Sequence, residues 1–378
     1  MKELSKKKKI FYSMLDFISF FLLYRYFRVK KTLLGDKFVP ERILLIEFYG
    51  IGDLIILSGA IDPIKQKWPN AEIWILSRSF AKDIFGHDVR IKGVMTFDFP
   101  WVTWGFRYNF IKWPWFKFHK LIKKLKEIKF DLAFGRPDLP MNVILRLSNS
   151  SCTLGYKLPG GSFLLSKLLP PQGAHDHEGM VWKGYLDALN IPAINYTPRL
   201  FVNEKEYNQT NEIINKLNTD EEDSLIIGIH PGASHRLQRW PENAFRQLAD
   251  ILSKKAKVLW FLSNENIKCN ASSNRNIIEV NVPLGSLCQL INKCDLFICN
   301  DSGPMHIAAA LNRKVIAIFG PQEPRRFAPR NLSKIIVSTG YACRPCANKC
   351  IYNEPKCLNE IPVDSVLAAV FDLFPLFK

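Results

Sequence analysis

The sequence predicts an α/β protein of two Rossmann-like, doubly wound domains, and three observations carry that expectation. Past residue 40, short apolar runs alternate with amphipathic helical patterns, which implies parallel strands joined by right-handed crossovers. The alternation restarts at 225, after the polar, Pro-containing stretch INYTPRLFVNEKEY (194–207). The 378 residues, 47% of them hydrophobic, are enough for two cored domains and too many for one ordinary core.

In the first domain, expected over 41–200, RILLIEF (42–48) reads as a strand that leads into YGIGD and the helical LIILSGAIDPIKQKW. AEIWILS is the second strand and DLAFGRP a later one. In the second domain, expected over 208–361, the helical NEIINKLN precedes SLIIGIHPGAS, the helix WPENAFRQLADILSKK and the run KVLWFLS. LCQLINKC, DLFICN, the helix PMHIAAAL and KVIAIFG complete the alternation, and residues 362–378 read as a C-terminal helix. Nine Cys are too few for a disulfide scaffold in a chain of this length, and Cys152, Cys269, Cys288, Cys294 and Cys299 stand singly, which fits a reducing cytoplasm.

The net charge of +17 is concentrated in two segments. Residues 1–40 hold ten Lys and Arg against Glu3, Asp16 and Asp36, and residues 99–130 hold eight against Glu127, so each segment carries a net +7. Both are rich in Phe, Trp and Leu, a mixture suited to an anionic lipid surface, where cations meet head groups and rings enter the interface. The apolar run Ile10 to Tyr24 is too short for a spanning helix, and basic residues follow it where a signal peptide would place small residues. Residues 1–40 are therefore expected to lie on a membrane, with docking on the protein's own core as the alternative. Nucleic acid is not the expected partner, because no reading module accompanies the charge.

Four loops follow strands directly, and in open parallel sheets ligands bind outside the carboxyl ends of the strands. They are YGIGD (49–53), HPGASHRLQRWP (230–241), NDSGPMH (300–306) and FGPQEPRRFAP (319–329). Arg236, Arg239, Arg325 and Arg326 place four guanidinium groups near two helix starts, an arrangement suited to a diphosphate. In NDSGPMH, Asp301 or Ser302 can cap the following helix, Gly303 lets a backbone approach a ligand, Pro304 fits the first turn, and Met305 and His306 follow. A Ser302–His306 hydrolase is a poor alternative, since no strained nucleophile elbow surrounds the serine.

Together these stretches resemble glycosyltransferase family 9, the bacterial heptosyltransferases of lipopolysaccharide core synthesis. RILLIEFYGIGDLIILSGAIDPIKQKWPNAEIWIL resembles the family's opening strand, IGD turn, helix and strand. IGIHPGASHRLQRWPENAFRQLADIL and CNDSGPMHIAAALNRKVIAIFGPQEPRRFAP resemble its donor-domain loops, so that the likeness runs over roughly 41 to 365. The resemblance implies a GT-B architecture, with the two domains facing across a cleft. It implies an ADP-activated heptose in the C-terminal domain, a lipid-linked glycan acceptor at the N-terminal one, and inversion without a metal on the inner face of the inner membrane. Asp53 would be the general base, set in the turn by Gly50 and Gly52. Ser234, Arg236, Arg239, Glu265, Asp301, Ser302, Gly303, Pro304, Met305 and His306 would hold the donor.

One departure matters: Gln238 stands where family members often carry a lysine, so the phosphate charge must be met elsewhere, by Arg239 or Arg236. No cofactor is expected for catalysis. Cys343, Cys346, Cys350 and Cys357 are spaced for a tetrahedral structural zinc site, with free thiols or a disulfide as the alternatives. A nucleotide-sugar epimerase of the same architecture remains a competing activity, and would turn over donor without any acceptor.

Overall fold

The computed structural model describes residues 38–99, 114–157, 161–171, 173, 177–192, 194, 196–202, 208–217, 225–262, 274–330, 334–338, 340–352 and 354–375. Glu265, most of the basic segment 1–40 and the first part of the second basic segment lie outside these residues. The chain divides into two compact units, Met1–Pro198 and Arg199–Lys378.

The first unit runs β1 (Arg42–Ile46), α1 (Ile51–Ser58), α2 (Ile61–Lys67), β2 (Glu72–Ser77), α3 (Ala81–Phe85), β3 (Ile91–Thr96), α4 (Trp115–Ile128), β4 (Leu132–Gly135), α5 (Leu139–Leu147), β5 (Cys152–Tyr156), β6 (Lys167–Leu169) and α6 (Met180–Ala188). Its six strands stand in the order β3-β2-β1-β4-β5-β6, with every pairing parallel. Ile43, Leu44, Leu45 and Ile46 are fully buried, so β1 is apolar on both faces, as a central parallel strand must be. The winding direction reverses between β1 and β4, and the carboxyl ends of these two strands form the switch point where such sheets bind ligands.

The helix expected from Leu54 to Trp68 is two helices, interrupted at Gly59 and Ala60. A Cβ on Gly59 would stand 3.0 Å from the Tyr196 ring and 3.1 Å from the nitrogen of Pro198. The Tyr196 hydroxyl donates to the Ile56 carbonyl at 2.6 Å, so the break seats this later segment against α1. Local periodicity favoured one continuous helix, and tertiary packing overrides it.

The second unit contains α7 (Asn208–Leu217), β7 (Ile226–His230), α8 (Glu242–Leu252), β8 (Lys257–Phe261), β9 (Ile277–Val280), α9 (Leu284–Lys293), β10 (Leu296–Asn300), α10 (Gly303–Ala310), β11 (Lys314–Phe319), α11 (Pro324–Phe327), β12 (Lys334–Val337), α12 (Lys356–Asn359) and α13 (Val363–Leu373). The strand order β12-β11-β10-β7-β8-β9, again wholly parallel, repeats the winding of the first unit. Its switch point lies between β7 and β10. Trp240, Phe245, Trp260, Leu358 and Val366 share one core, and the Trp240 indole donates to the Ile361 carbonyl at 2.9 Å. The C-terminal helix α13 therefore belongs to the core of this unit.

Candidate functional site

At the switch point of the first unit, β1 ends at Ile46 and the next residue is Glu47, whose side chain is fully buried. Gly50 precedes α1, Gly52 lies inside its first turn, and so does Asp53. The IGD stretch is thus the opening of a helix rather than a turn before it. Asp53 accepts the Gly50 N–H through Oδ2 at 3.0 Å, which satisfies one of the helix's free donors. Its Oδ1 accepts from Nη1 of Arg136 at 2.6 Å.

Arg136 comes directly after β4, in register with β1 through the Ile46–Gly135 pair. A Cβ at Gly135 would fall 2.8 Å from the Ile46 carbonyl oxygen and 2.9 Å from the Ile46 Cβ, so only glycine allows the two strand ends this approach. The guanidinium also donates through Nη2 to Glu178, has Glu47 Oε2 3.6 Å from Nη1, and lies 4.9 Å from the centre of the Tyr49 ring. The Tyr49 hydroxyl donates to Asp138, which precedes α5.

Three carboxyls around one guanidinium, largely shut off from water, perturb one another. Burial, reinforced by Asp53 and only partly offset by Arg136, pushes Glu47 up to about 8. Burial alone would weaken Arg136's hold on its proton, but Asp53, Glu47 and Glu178 outweigh it and keep the guanidinium above its ordinary range. Burial and the neighbouring Asp138 raise the Tyr49 phenol. The sequence singles out Asp53 but not Glu47, Arg136 and Glu178, which the structure places around it. The available signal was a charged residue directly after an otherwise apolar strand, at Glu47 and again at Arg136, because a charge there needs a partner.

In the second unit, the loops after β7 and β10 are tied together by Asn300, whose side chain accepts the Trp240 N–H at 2.9 Å and donates to the Pro231 carbonyl at 2.7 Å. Gln238, buried, donates to Asp301 Oδ2 at 3.0 Å. Burial pushes Asp301 up to about 6, against the opposing pull of Gln238. Ser302 precedes α10 in extended conformation, and its hydroxyl has no hydrogen-bond partner. Gly303 and Pro304 form the first turn of α10, Met305 is wholly buried and His306 nearly so, which leaves the Met305 side chain to the core. His230, also buried, is pushed down to about 4 and is a neutral imidazole at ordinary pH.

The arginines divide. Arg239 turns back on its own loop, donating through Nε and Nη2 to the Ala233 carbonyl at 3.1 and 2.9 Å, so it shapes the loop as it stands. Arg236 and Ser234 are exposed, Arg236 in a single 3-10 turn that His235 caps by accepting the Leu237 N–H at 3.2 Å. Arg325 is exposed on the short α11, beside Arg326, whose guanidinium lies 5.0 Å from the Phe327 ring centre.

At Cys343, Cys346, Cys350 and Cys357 the spacing allows a structural zinc site, free thiols or a disulfide. Among the described residues no three His, Cys, Asp or Glu side chains stand together as metal ligands. Cys357 is buried on α12, whereas the Cys350 thiol donates to the Glu354 carbonyl at 3.7 Å. All four are free thiols, and burial raises those of Cys346 and Cys357.

The family model for glycosyltransferase family 9 (heptosyltransferase) matches residues 118–356. Lipooligosaccharide heptosyltransferase 2 of Campylobacter jejuni is 33% identical over 164 residues, 38% of this chain and 50% of that protein. The chain thus spans about half the length of these curated relatives. The Haemophilus ducreyi protein of the same description is 23% identical over 318 residues, 78% of this chain and 88% of the other. Among solved structures, a glycosyltransferase family 9 protein of Veillonella parvula superposes with a TM-score of 0.73 at 17% identity, over 90% of this chain and 99% of that one. The ADP-heptose lipopolysaccharide heptosyltransferase II of E. coli gives 0.68 at 20%, over 88% and 98%. At these identities the structures establish a shared fold.

Proposed function

The chain belongs to glycosyltransferase family 9, whose model takes in more than half of its residues, and from that premise we propose that it transfers a heptose from an ADP-activated donor to a lipid-linked core glycan. The acceptor oxygen attacks the anomeric carbon and its proton passes to Asp53. The bond from sugar to phosphate breaks with its electron pair leaving on ADP, and the configuration inverts. The observation that carries the reading is Asp53 itself, a carboxylate 25% exposed in the first turn of the helix that follows central strand β1. A carboxylate has about four lone-pair sites, so the two already engaged leave room for a hydroxyl proton.

The departing diphosphate needs its growing charge offset. On this reading the start of α10, with the unpartnered Ser302 hydroxyl, supplies it together with Arg236 and the arginines of α11, and no divalent ion is required. Asp301 and His306 line the same turn, Ser234 and Arg239 belong to the adjoining loop, and Glu265 is assigned to the nucleotide from the sequence alone.

The lipid-linked acceptor would be met at the cytoplasmic face of a membrane. Helix α4 supports this, because it buries Leu121, Ile122 and Leu125 in its own unit while exposing Trp115 and Phe116 beside a row of lysines. Lys82, Lys117, Lys120 and Lys124 border a cavity of about 480 Å³ floored by Phe97 and Leu121. Among the described residues no helix is long and apolar enough to cross a membrane.

The test is mass spectrometry of a core acceptor incubated with the full chain and ADP-heptose, in EDTA and without it. Gain of one heptose per acceptor in both conditions, with the melting temperature unchanged by EDTA, is the expected result. Turnover of donor without acceptor, or activity restored only by Mg²⁺ or Mn²⁺ in a still-folded protein, would overturn it.

A further inference from the structure

We propose that Arg136 is the positioning residue for the Asp53 carboxylate and that Glu47 governs how firmly Arg136 holds it. The inference rests on Asp53 being the proton acceptor. Two donors from different parts of the chain fix Asp53: the Gly50 N–H on Oδ2 at 3.0 Å and Arg136 Nη1 on Oδ1 at 2.6 Å. With both oxygens held, the plane of the carboxylate is set, and its remaining lone pairs are directed rather than averaged over rotamers.

The guanidinium is itself held on three sides. Nη2 is taken by Glu178, Cζ lies over the Tyr49 ring, and Nη1 is bonded to Asp53. Glu47 is the fourth neighbour and the unsettled one. Its Oε1 accepts the Tyr49 N–H at 3.0 Å, while Oε2 is buried without a hydrogen-bond partner, 3.6 Å from the nitrogen that serves Asp53.

The groups facing Glu47 are Arg136, Asp53, Tyr49 and, more remotely, Tyr185. Arg136 is the one cation among these. Glu47 pushed up to about 8 is neutral at pH 7, and the guanidinium then serves Asp53 and Glu178. Once ionised, Glu47 is a third anion competing for Nη1, and the grip on Asp53 loosens. Alkaline pH should therefore lower kcat before any reactant titrates.

The experiment measures kcat, donor KM and the pH dependence of kcat for the full chain and for Arg136→Met, Arg136→Lys and Glu47→Gln, using ADP-heptose and a delipidated core acceptor. Arg136→Met should lower kcat by roughly 10²-fold, with the donor KM within about twofold, and Arg136→Lys should recover part of the loss. Glu47→Gln cannot ionise, and should abolish the fall in kcat expected of the unmodified chain near pH 8. Melting temperature and near-ultraviolet circular dichroism identify unfolding. Should Arg136→Met unfold, a loss of about tenfold or more in kcat for folded Arg136→Lys carries the test. Unchanged kcat in the folded Arg136 variants, or a Glu47→Gln profile that superposes on the unmodified one, overturns the inference. An active Asp53→Asn would instead sink the reading of Asp53 as base, whereas an inactive Asp53→Asn beside unaffected Arg136 and Glu47 variants would sink this inference alone.

Discussion

Gln238 donates through Nε2 to Oδ2 of Asp301 at 3.0 Å, so a neutral amide supports a buried carboxyl where family members often place a lysine. Burial pushes Asp301 up to about 6, and the amide opposes that rise by favouring the ionised form. Gln238→Ala would leave a buried oxygen without its donor, which costs about 1–3 kcal/mol. Urea unfolding at pH 7 should show a loss of that size. The loss should shrink at pH 5, where Asp301 is largely protonated, and an equal loss at both values would contradict this account.

Asp53→Asn should lower kcat by roughly 10² to 10⁴, the range for losing a general base, and leave donor affinity within about twofold. The amide keeps the shape and loses the proton affinity. Calorimetric titration of the donor beside single-turnover kinetics separates the two effects, and near-normal turnover removes Asp53 from the chemistry.

Glu47 links stability to pH. Its folded value of about 8 stands above the ordinary 4.5, so the folded chain retains a proton that the unfolded chain releases. The resulting stabilisation is fully present below about 4.5 and is lost as pH rises to about 8. Glu47→Gln has no such slope. Its melting temperature should therefore gain on that of the unmodified chain between pH 5 and 8, and two curves that stay parallel across this window would refute the assignment.

Helix α4 should mediate binding to anionic vesicles. Each lysine near such a surface contributes about 1 kcal/mol, so replacing Lys117, Lys120 and Lys124 with Ala should weaken partition by roughly 10²-fold at low salt and much less at high salt. Phe116→Ser, which removes a ring 83% exposed, should weaken partition at both salt concentrations. Co-sedimentation with phosphatidylglycerol-containing vesicles reads both, and unchanged partition in the triple variant would place the contact elsewhere.

The strands, their order of occurrence and the loops that follow them were legible because each is written locally, in apolar runs such as RILLI and LFICN and in the polar residues that end them. The positions of Asp53 and Ser302, each at the start of a helix that follows a strand, were legible for the same reason. Arg136 was not, since it lies 83 residues from Asp53 and meets it only because β1 and β4 pair across the switch point. Gln238 read as a missing lysine, and its bond to Asp301 spans 63 residues. The break at Gly59 was hidden because its cause, the Tyr196 ring, lies far along the chain.

The strand order is one scaffold used twice, and its two copies are wired with opposite polarity. At the switch point of the first unit, Glu47, Asp53 and Glu178 gather around Arg136, and Asp138 accepts from the neighbouring Tyr49. The loops after β7, β10 and β11 in the second unit carry Arg236, Arg239, Arg325 and Arg326 against Asp301 and Glu323. On the proposed reading, a multiply charged anion would be disfavoured at the first address and favoured at the second, so that charge would sort the reactants before shape does. Ionic strength would then be a dial on misplacement: raising it should let a nucleotide compete better at the acidic address than it does at low salt.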